Sequence, residues 1–170
     1  MVERCKQGNP KAQYELYSLY AKAMYNTALR IVKFAEEAED VLQEAFLDAF
    51  TKLDSFRADS TFGAWLKTIV VNKALGKLKQ KRQFFEELNE SHFNQSEEDY
   101  SGQEDFDVSQ VQKIKKGIFD LPDGYRLILS LYLFEGYDHG EIAEIMGIKE
   151  STSRSQFLRG KQKLLASLSV

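Results

Sequence analysis

Apolar side chains recur at intervals of three and four from residue 10 to about residue 85, the spacing of a buried helix face. Tyr14, Tyr17, Tyr20, Met24, Ala28 and Ile31 make a first stripe, and Ala38, Val41, Leu42, Ala45, Phe46, Ala49, Phe50 and Leu53 a second. After a break at residues 55–60, Phe62, Trp65, Leu66, Ile69, Val70 and Leu75 resume the period. This predicts a bundle of three or more helices. Asn9-Pro10 marks a start, because Asn caps well and proline at the first helical position loses only an N–H that has no partner anyway.

The period fades over residues 86–110, which are acidic, rich in Ser, Asn and Gln, and apolar only at isolated positions. Such a segment buries too little to offset its ordering entropy and reads as a flexible acidic linker. The helical pattern returns at Val111 and breaks once at Leu121-Pro-Asp-Gly124. The expected architecture is all-α: a helical domain over 1–85, the linker over 86–110, and a four-helix domain over 111–170 that carries a helix-turn-helix.

Composition supports this reading. The chain has 170 residues, 43% of them hydrophobic, with two prolines and ten glycines, too few turn formers for a β-sandwich. One cysteine, Cys5, and two histidines rule out a disulfide framework and a cysteine-based zinc site. The N-terminus lacks an apolar leader, and the longest mostly apolar run, Leu127 to Phe134, is far short of the ~20 residues a bilayer span needs. The sequence therefore predicts a cytoplasmic protein with no membrane insertion.

The net charge of −3 is a cancellation. Nine acids and no base lie between Gln83 and Gln112, whereas residues 1–82 carry a net +4 and residues 113–170 a net +2. Two mildly basic lobes flank an acidic strap.

Three segments carry candidate chemistry. Residues 139–159 have helix-turn-helix grammar: Ile142, Ile145 and Met146 for the first helix face, small Ala143 at the crossing, Gly147 for a positive φ, and Ile148 to plug the turn. Ser151 or Thr152 is expected to cap the second helix, which presents Arg154, Ser155 and Arg159. Arg reaches guanine edges or phosphates, and Ser donates to either. The plainer alternative is a helical hairpin with a solvated basic face. In the first lobe, Glu36, Asp40, Gln43, Glu44 and Leu47 share one helix face, by itself a solvated acidic surface or a docking site. Residues 67–85 hold six basic residues and no acid, interleaved with Leu75, Leu78, Phe84 and Phe85, a composition able to track a phosphate backbone. Trp65 suits core packing at least as well as base stacking.

In order, Glu37-Ala-Glu-Asp-Val-Leu-Gln-Glu-Ala-Phe46, Phe56, Phe62-Gly-Ala-Trp-Leu66 with Asn72, Leu121-Pro122 and the helix-turn-helix resemble the extracytoplasmic-function (ECF, group IV) sigma factors of bacterial RNA polymerase. The resemblance spans nearly the whole chain. It implies docking on the β′ clamp of core polymerase by Asp40, Gln43, Glu44 and Phe46, with the β flap a further polymerase contact of the chain. It implies −10 promoter contacts by Arg57, Ser60, Phe62, Asn72, Lys73 and Lys77, and −35 contacts by Thr152, Arg154, Ser155, Leu158 and Arg159. Implied partners are core polymerase, promoter DNA and an anti-sigma factor; no cofactor, metal or small-molecule substrate is implied. The chain departs from common family residues at Gly76, Lys79, Gly140 and Gln156. A stand-alone helix-turn-helix regulator with a sensing N-terminal lobe is the alternative. Enzymatic chemistry finds no support: His139 and Glu141 are two apart, the wrong spacing for a metal pair on one helix face, and no glycine-rich phosphate loop is present.

Overall fold

The computed structural model describes residues 1–80 and 108–169; the expected linker core and the basic residues 81 and 82 lie outside them. All regular structure among the described residues is helical. The chain divides into two compact units, with the break after residue 81.

The first unit contains α1 (Val2–Lys6), α2 (Pro10–Val32), α3 (Ala35–Thr51), a 3-10 turn (Leu53–Ser55) and α4 (Phe62–Gln80). α2, α3 and α4 each pack on the other two. Asn9 caps α2 as expected, its side chain accepting the Ala12 N–H at 3.1 Å with Pro10 next in line. The buried stripe of α2 agrees with the expected one from Met24 onward and departs from it in the first half of the helix. It consists of Ala12, Leu16, Met24, Thr27, Ala28, Ile31 and Val32, while Tyr14 is 72% exposed. Both stripes share Met24, Ala28 and Ile31. The tyrosines can keep their hydroxyls in water, whereas Ala12 is fully buried. On α3 the buried positions are Ala38, Val41, Leu42, Ala45, Phe46 and Ala49, and on α4 they are Phe62, Leu66, Val70, Val71, Ala74, Leu75 and Leu78. Thr61 starts α4: its Oγ1 accepts from the Ala64 N–H at 3.2 Å and its carbonyl from the Trp65 N–H at 3.1 Å.

The second unit contains α5 (Val108–Asp120), α6 (Asp123–Leu133), α7 (His139–Met146) and α8 (Glu150–Leu168). α5 starts three residues before the expected domain edge at 111. Ile118, Leu121, Leu129 and Leu164 form a core flanked by Ile114, Tyr125, Phe134 and Phe157. Pro122 stands just outside α6, where its fixed φ and missing N–H do no harm.

α7 carries a capping box. The Asp138 side chain accepts from the Glu141 N–H and the Glu141 side chain from the Asp138 N–H, both at 2.8 Å. Gly147 ends it at φ +67°, and the Ile148 N–H reaches the Ala143 carbonyl at 3.0 Å. α8 starts two residues earlier than a Ser151 cap would have set it, and three earlier than a Thr152 cap. Its N-cap is Lys149, which makes no side-chain cap, and Glu150 and Ser151 are already helical. The carboxylate of Glu150 in the first turn suits the positive end of the helix dipole.

Candidate functional surfaces

In the first unit the outward face of α3 holds Glu36, Asp40, Gln43, Glu44 and Leu47, all exposed. Phe46 is on the other side. It is 3% exposed, with its ring centroid 4.7 Å from Tyr17 and 5.9 Å from Phe50. The structure therefore withdraws Phe46 from the docking set, because four residues beyond Leu42 and three before Ala49 it continues the buried stripe of α3. Leu47, 67% exposed, is the apolar side chain next to the acidic row.

α4 lies alongside that row and its lysines reach across. Lys77 Nζ is 3.1 Å from Asp40 Oδ2 and 3.9 Å from Glu44 Oε1. Lys73 Nζ is 3.0 Å from Asp48 Oδ2 and 3.7 Å from Glu44 Oε2. The hydrogen bond from Lys73 holds the Asp48 carboxyl below the usual carboxylate range. Asp48 is a partner that sequence reading missed, although it continues the row Asp40, Glu44 at a spacing of four. Asn72, next to Lys73, is exposed.

The segment between the 3-10 turn and α4 is anchored by aromatic rings. Phe56, Phe62 and Trp65 contact one another with centroids 5.3–5.8 Å apart, and Phe62 also meets Tyr20 at 5.4 Å. Phe62 is 6% exposed, which removes it from the set of accessible nucleic-acid contacts and makes it the floor of this segment. Trp65 packs in the same cluster. Arg57, Ala58, Asp59 and Ser60 remain exposed above it. Ala58 has φ +58°, a left-handed conformation uncommon for a residue with a Cβ, so packing on either side holds this turn in a defined shape. Ser60 Oγ donates to the Thr61 carbonyl at 3.4 Å.

In the second unit α8 buries Ser153, Gln156, Gly160 and Leu164. Their helical spacing turns Ser151, Arg154, Ser155 and Leu158 to the opposite side, with Thr152 and Arg159 on its flank. Gln156, noted as a departure in the reading helix, is 4% exposed and so faces the core. Arg154 is exposed and tied to Glu150, its Nε and Nη2 standing 3.2 and 2.5 Å from Oε1. Ser155 Oγ donates back to the carbonyls of Ser151 and Thr152 at 3.0 and 3.1 Å.

The turn between α7 and α8 is fixed by a polar pair. His139 Nδ1 and Ser153 Oγ are 2.8 Å apart, with Ser153 fully buried. The imidazole stacks on Tyr132 at 4.8 Å and 23°, and meets Phe157 edge-on at 5.4 Å. Burial pushes its pKa down; the Arg154 charge acts the same way, while Glu150 and Asp138 oppose. Among the described residues no cluster of His, Cys, Asp or Glu could hold a metal ion, and no helix is long and apolar enough to cross a membrane.

Comparison with known proteins identifies the family of both units. Residues 16–84 match the family description Sigma-70 region 2, and residues 118–164 match Sigma-70, region 4. The chain is 30% identical to the RNA polymerase sigma-H factor of Pseudomonas aeruginosa, covering 96% of this chain and 90% of that one. It is 30% identical to the ECF RNA polymerase sigma-E factor of Escherichia coli K12, with the same coverage. Among solved structures it is similar to the sigma factor RpoE of Bartonella quintana, crystallised with the anti-sigma factor NepR. The TM-score is 0.57 at 27% identity, over 94% of this chain and 98% of that one. A second structure, CnrH in complex with the cytosolic domain of CnrY, has the same fold, with a TM-score of 0.56 at 22% identity, over 99% of this chain and 94% of that one. With both sigma-70 regions matched in order and relatives aligned over almost its full length, the chain belongs to the ECF RNA polymerase sigma factors of the sigma-70 family.

Proposed function

We propose that the chain binds core RNA polymerase and directs it to promoters, taking part in promoter melting and initiation and performing no covalent chemistry of its own. The exposed row Asp40, Gln43 and Glu44, with Leu47 beside it, is the docking face for the β′ clamp. Arg57, Ser60, Asn72, Lys73 and Lys77 contact the −10 element. Thr152, Arg154, Ser155, Leu158 and Arg159 contact the −35 element from the major groove. The first domain ends near residue 85 and the second begins with α5 at Val108, with the residues between them joining the two through the polymerase. Like the relative crystallised with NepR, the chain takes an anti-sigma factor as a partner, and it works in the cytoplasm, where the polymerase is.

One observation carries this reading. A single chain presents an exposed acidic helix face, a lysine-bearing helix packed beside it, and a helix-turn-helix whose second helix turns Arg154, Ser155 and Leu158 away from its core. Arg and Ser there suit base edges and phosphates, and lysines suit the backbone. The test is run-off transcription with core enzyme and a genomic template library. Promoter-dependent transcripts that need both proteins are expected. Tight, specific duplex binding by the isolated chain, with no transcript from any template, would overturn the proposal in favour of a stand-alone regulator.

A further inference from the structure

The guanidinium of Arg154 is an exposed charged group on the reading face of α8, and it is paired within its own helix. Nε and Nη2 both donate to Glu150 Oε1, at 3.2 and 2.5 Å, although the two side chains are 62% and 51% exposed. Glu150 lies one turn earlier, in the favourable order of acid before base at a spacing of four. Its other oxygen reaches back toward α7: Oε2 lies 4.0 Å from where a Cβ on Gly140 would stand. The carboxylate thus sits between the start of α7 and the arginine, within van der Waals reach of position 140.

This tie changes what Arg154 can do. An untethered, exposed arginine is rich in rotamers and readily settles on the nearest phosphate, a contact that carries no sequence information. A carboxylate beside it repels phosphate, so relaxing onto the backbone costs more than holding the guanidinium outward. Two of the five N–H donors are engaged, and three remain for an acceptor in the groove. The near-neutral pair also adds little to the sequence-independent attraction between protein and DNA.

We infer that Glu150 is a specificity-determining residue that acts through Arg154, giving up general DNA affinity to hold the guanidinium in a base-reading pose. It is a positioning residue that need not touch the DNA. The inference rests on the proposed reading of α8 as the −35 helix and adds to it the origin of discrimination at one position.

The test uses the full chain assembled with core polymerase. Holoenzymes carrying the wild-type chain, Glu150→Gln, Arg154→Ala or both select from duplexes randomised across the upstream element, and base preference at each position is read by sequencing. Arg154→Ala is expected to flatten preference at one position, where a good bidentate contact gives roughly 5–150-fold discrimination. Glu150→Gln is expected to lower preference at that same position by about fivefold, to tighten binding to random duplex, and to steepen the salt dependence by about one counterion. In the Arg154→Ala background Glu150→Gln changes nothing at that position. Unchanged preference at that position in Glu150→Gln overturns the inference. So does an equal loss at every position, which marks a general weakening of α8. If Arg154→Ala leaves all positions as in wild type, the assignment of Arg154 falls and Glu150 with it. If the wild-type holoenzyme enriches no sequence, the proposed function fails.

Discussion

Lys77 Nζ stands 3.1 Å from Asp40 Oδ2, so the helix proposed to dock on polymerase and the helix proposed to follow DNA share an ion pair across 37 residues of sequence. The pair is solvated, with the Asp40 side chain 64% exposed, and exposed pairs of this kind stabilise a fold by about 0–1 kcal/mol. Its residues are therefore available for binding without cost to the core. Asp40→Ala combined with Gln43→Ala should weaken core-polymerase affinity by tenfold or more while the thermal midpoint stays close to wild type. Fluorescence anisotropy against core enzyme checks the first point and circular dichroism the second. Unaltered affinity would reduce the acidic row to a solvated face.

That pairing also shows what the sequence could and could not disclose. Periodicity located every long helix, because burying one face leaves a 3.6-residue trace whatever lies opposite. It did not set the phase of the first half of α2, where packing buries Ala12 and Leu16 rather than the tyrosines; Met24, Ala28 and Ile31 are common to both stripes. Family resemblance assigned Phe46 and Phe62 to binding surfaces, and both rings are buried. A motif preserves residue type and is silent on which way the side chain points. The lysine–carboxylate contacts between α3 and α4 are long-range in sequence and were invisible until the helices were laid side by side. The capping box at Asp138 and Glu141, by contrast, stands in plain view as an Asp and a Glu three apart.

Gly160 looks like a helix weakness in sequence and is a packing device in the structure. A Cβ there would lie 3.1 Å from Leu129 Cδ1 and 3.1 Å from Tyr125 Cβ, so α8 crosses α6 where no side chain intervenes. Alanine would gain about 1 kcal/mol of helix propensity, and overpacking typically costs about 1–3 kcal/mol. Tyr125 Cβ is fixed to its backbone and cannot move aside as a flexible side-chain end could, so the overpacking wins. Gly160→Ala should lower the urea midpoint, with a net loss of about 1 kcal/mol. A midpoint above wild type would show that the helices part freely.

Arg159 flanks the reading face, half-buried where Arg154 is exposed, and this difference predicts different roles. Removing a base contact costs about 1–3 kcal/mol at one position, whereas removing a phosphate contact weakens all sequences alike. Arg159→Ala should lower holoenzyme binding to matched and mismatched upstream elements by the same factor and reduce the salt slope by about one. Loss confined to one base pair would instead make Arg159 a reader.

The clamp between α7 and α8 should make the second unit sensitive to mild acid. His139 is enclosed by Tyr132 of α6 and by Ser153 and Phe157 of α8, with Asp138, Glu150 and Arg154 the charged groups around it. Burial, aided by Arg154, holds its pKa below the ordinary 6.5, so the folded state takes up a proton at lower pH than the unfolded chain. The unfolded chain binds a proton first as pH falls. The contribution of this site is therefore complete above about pH 6.5 and is lost progressively as pH drops from there toward the folded value. The urea midpoint should fall between pH 7.5 and pH 5.5, above the range where most carboxylates titrate. His139→Gln removes the titrating group and should flatten that dependence, even if it lowers the midpoint at both pH values. Ser153→Ala leaves Nδ1 without its hydroxyl partner and should cost about 1–3 kcal/mol at pH 7.5. An equal fall between the two pH values in wild type and His139→Gln would place the acid sensitivity elsewhere in the chain.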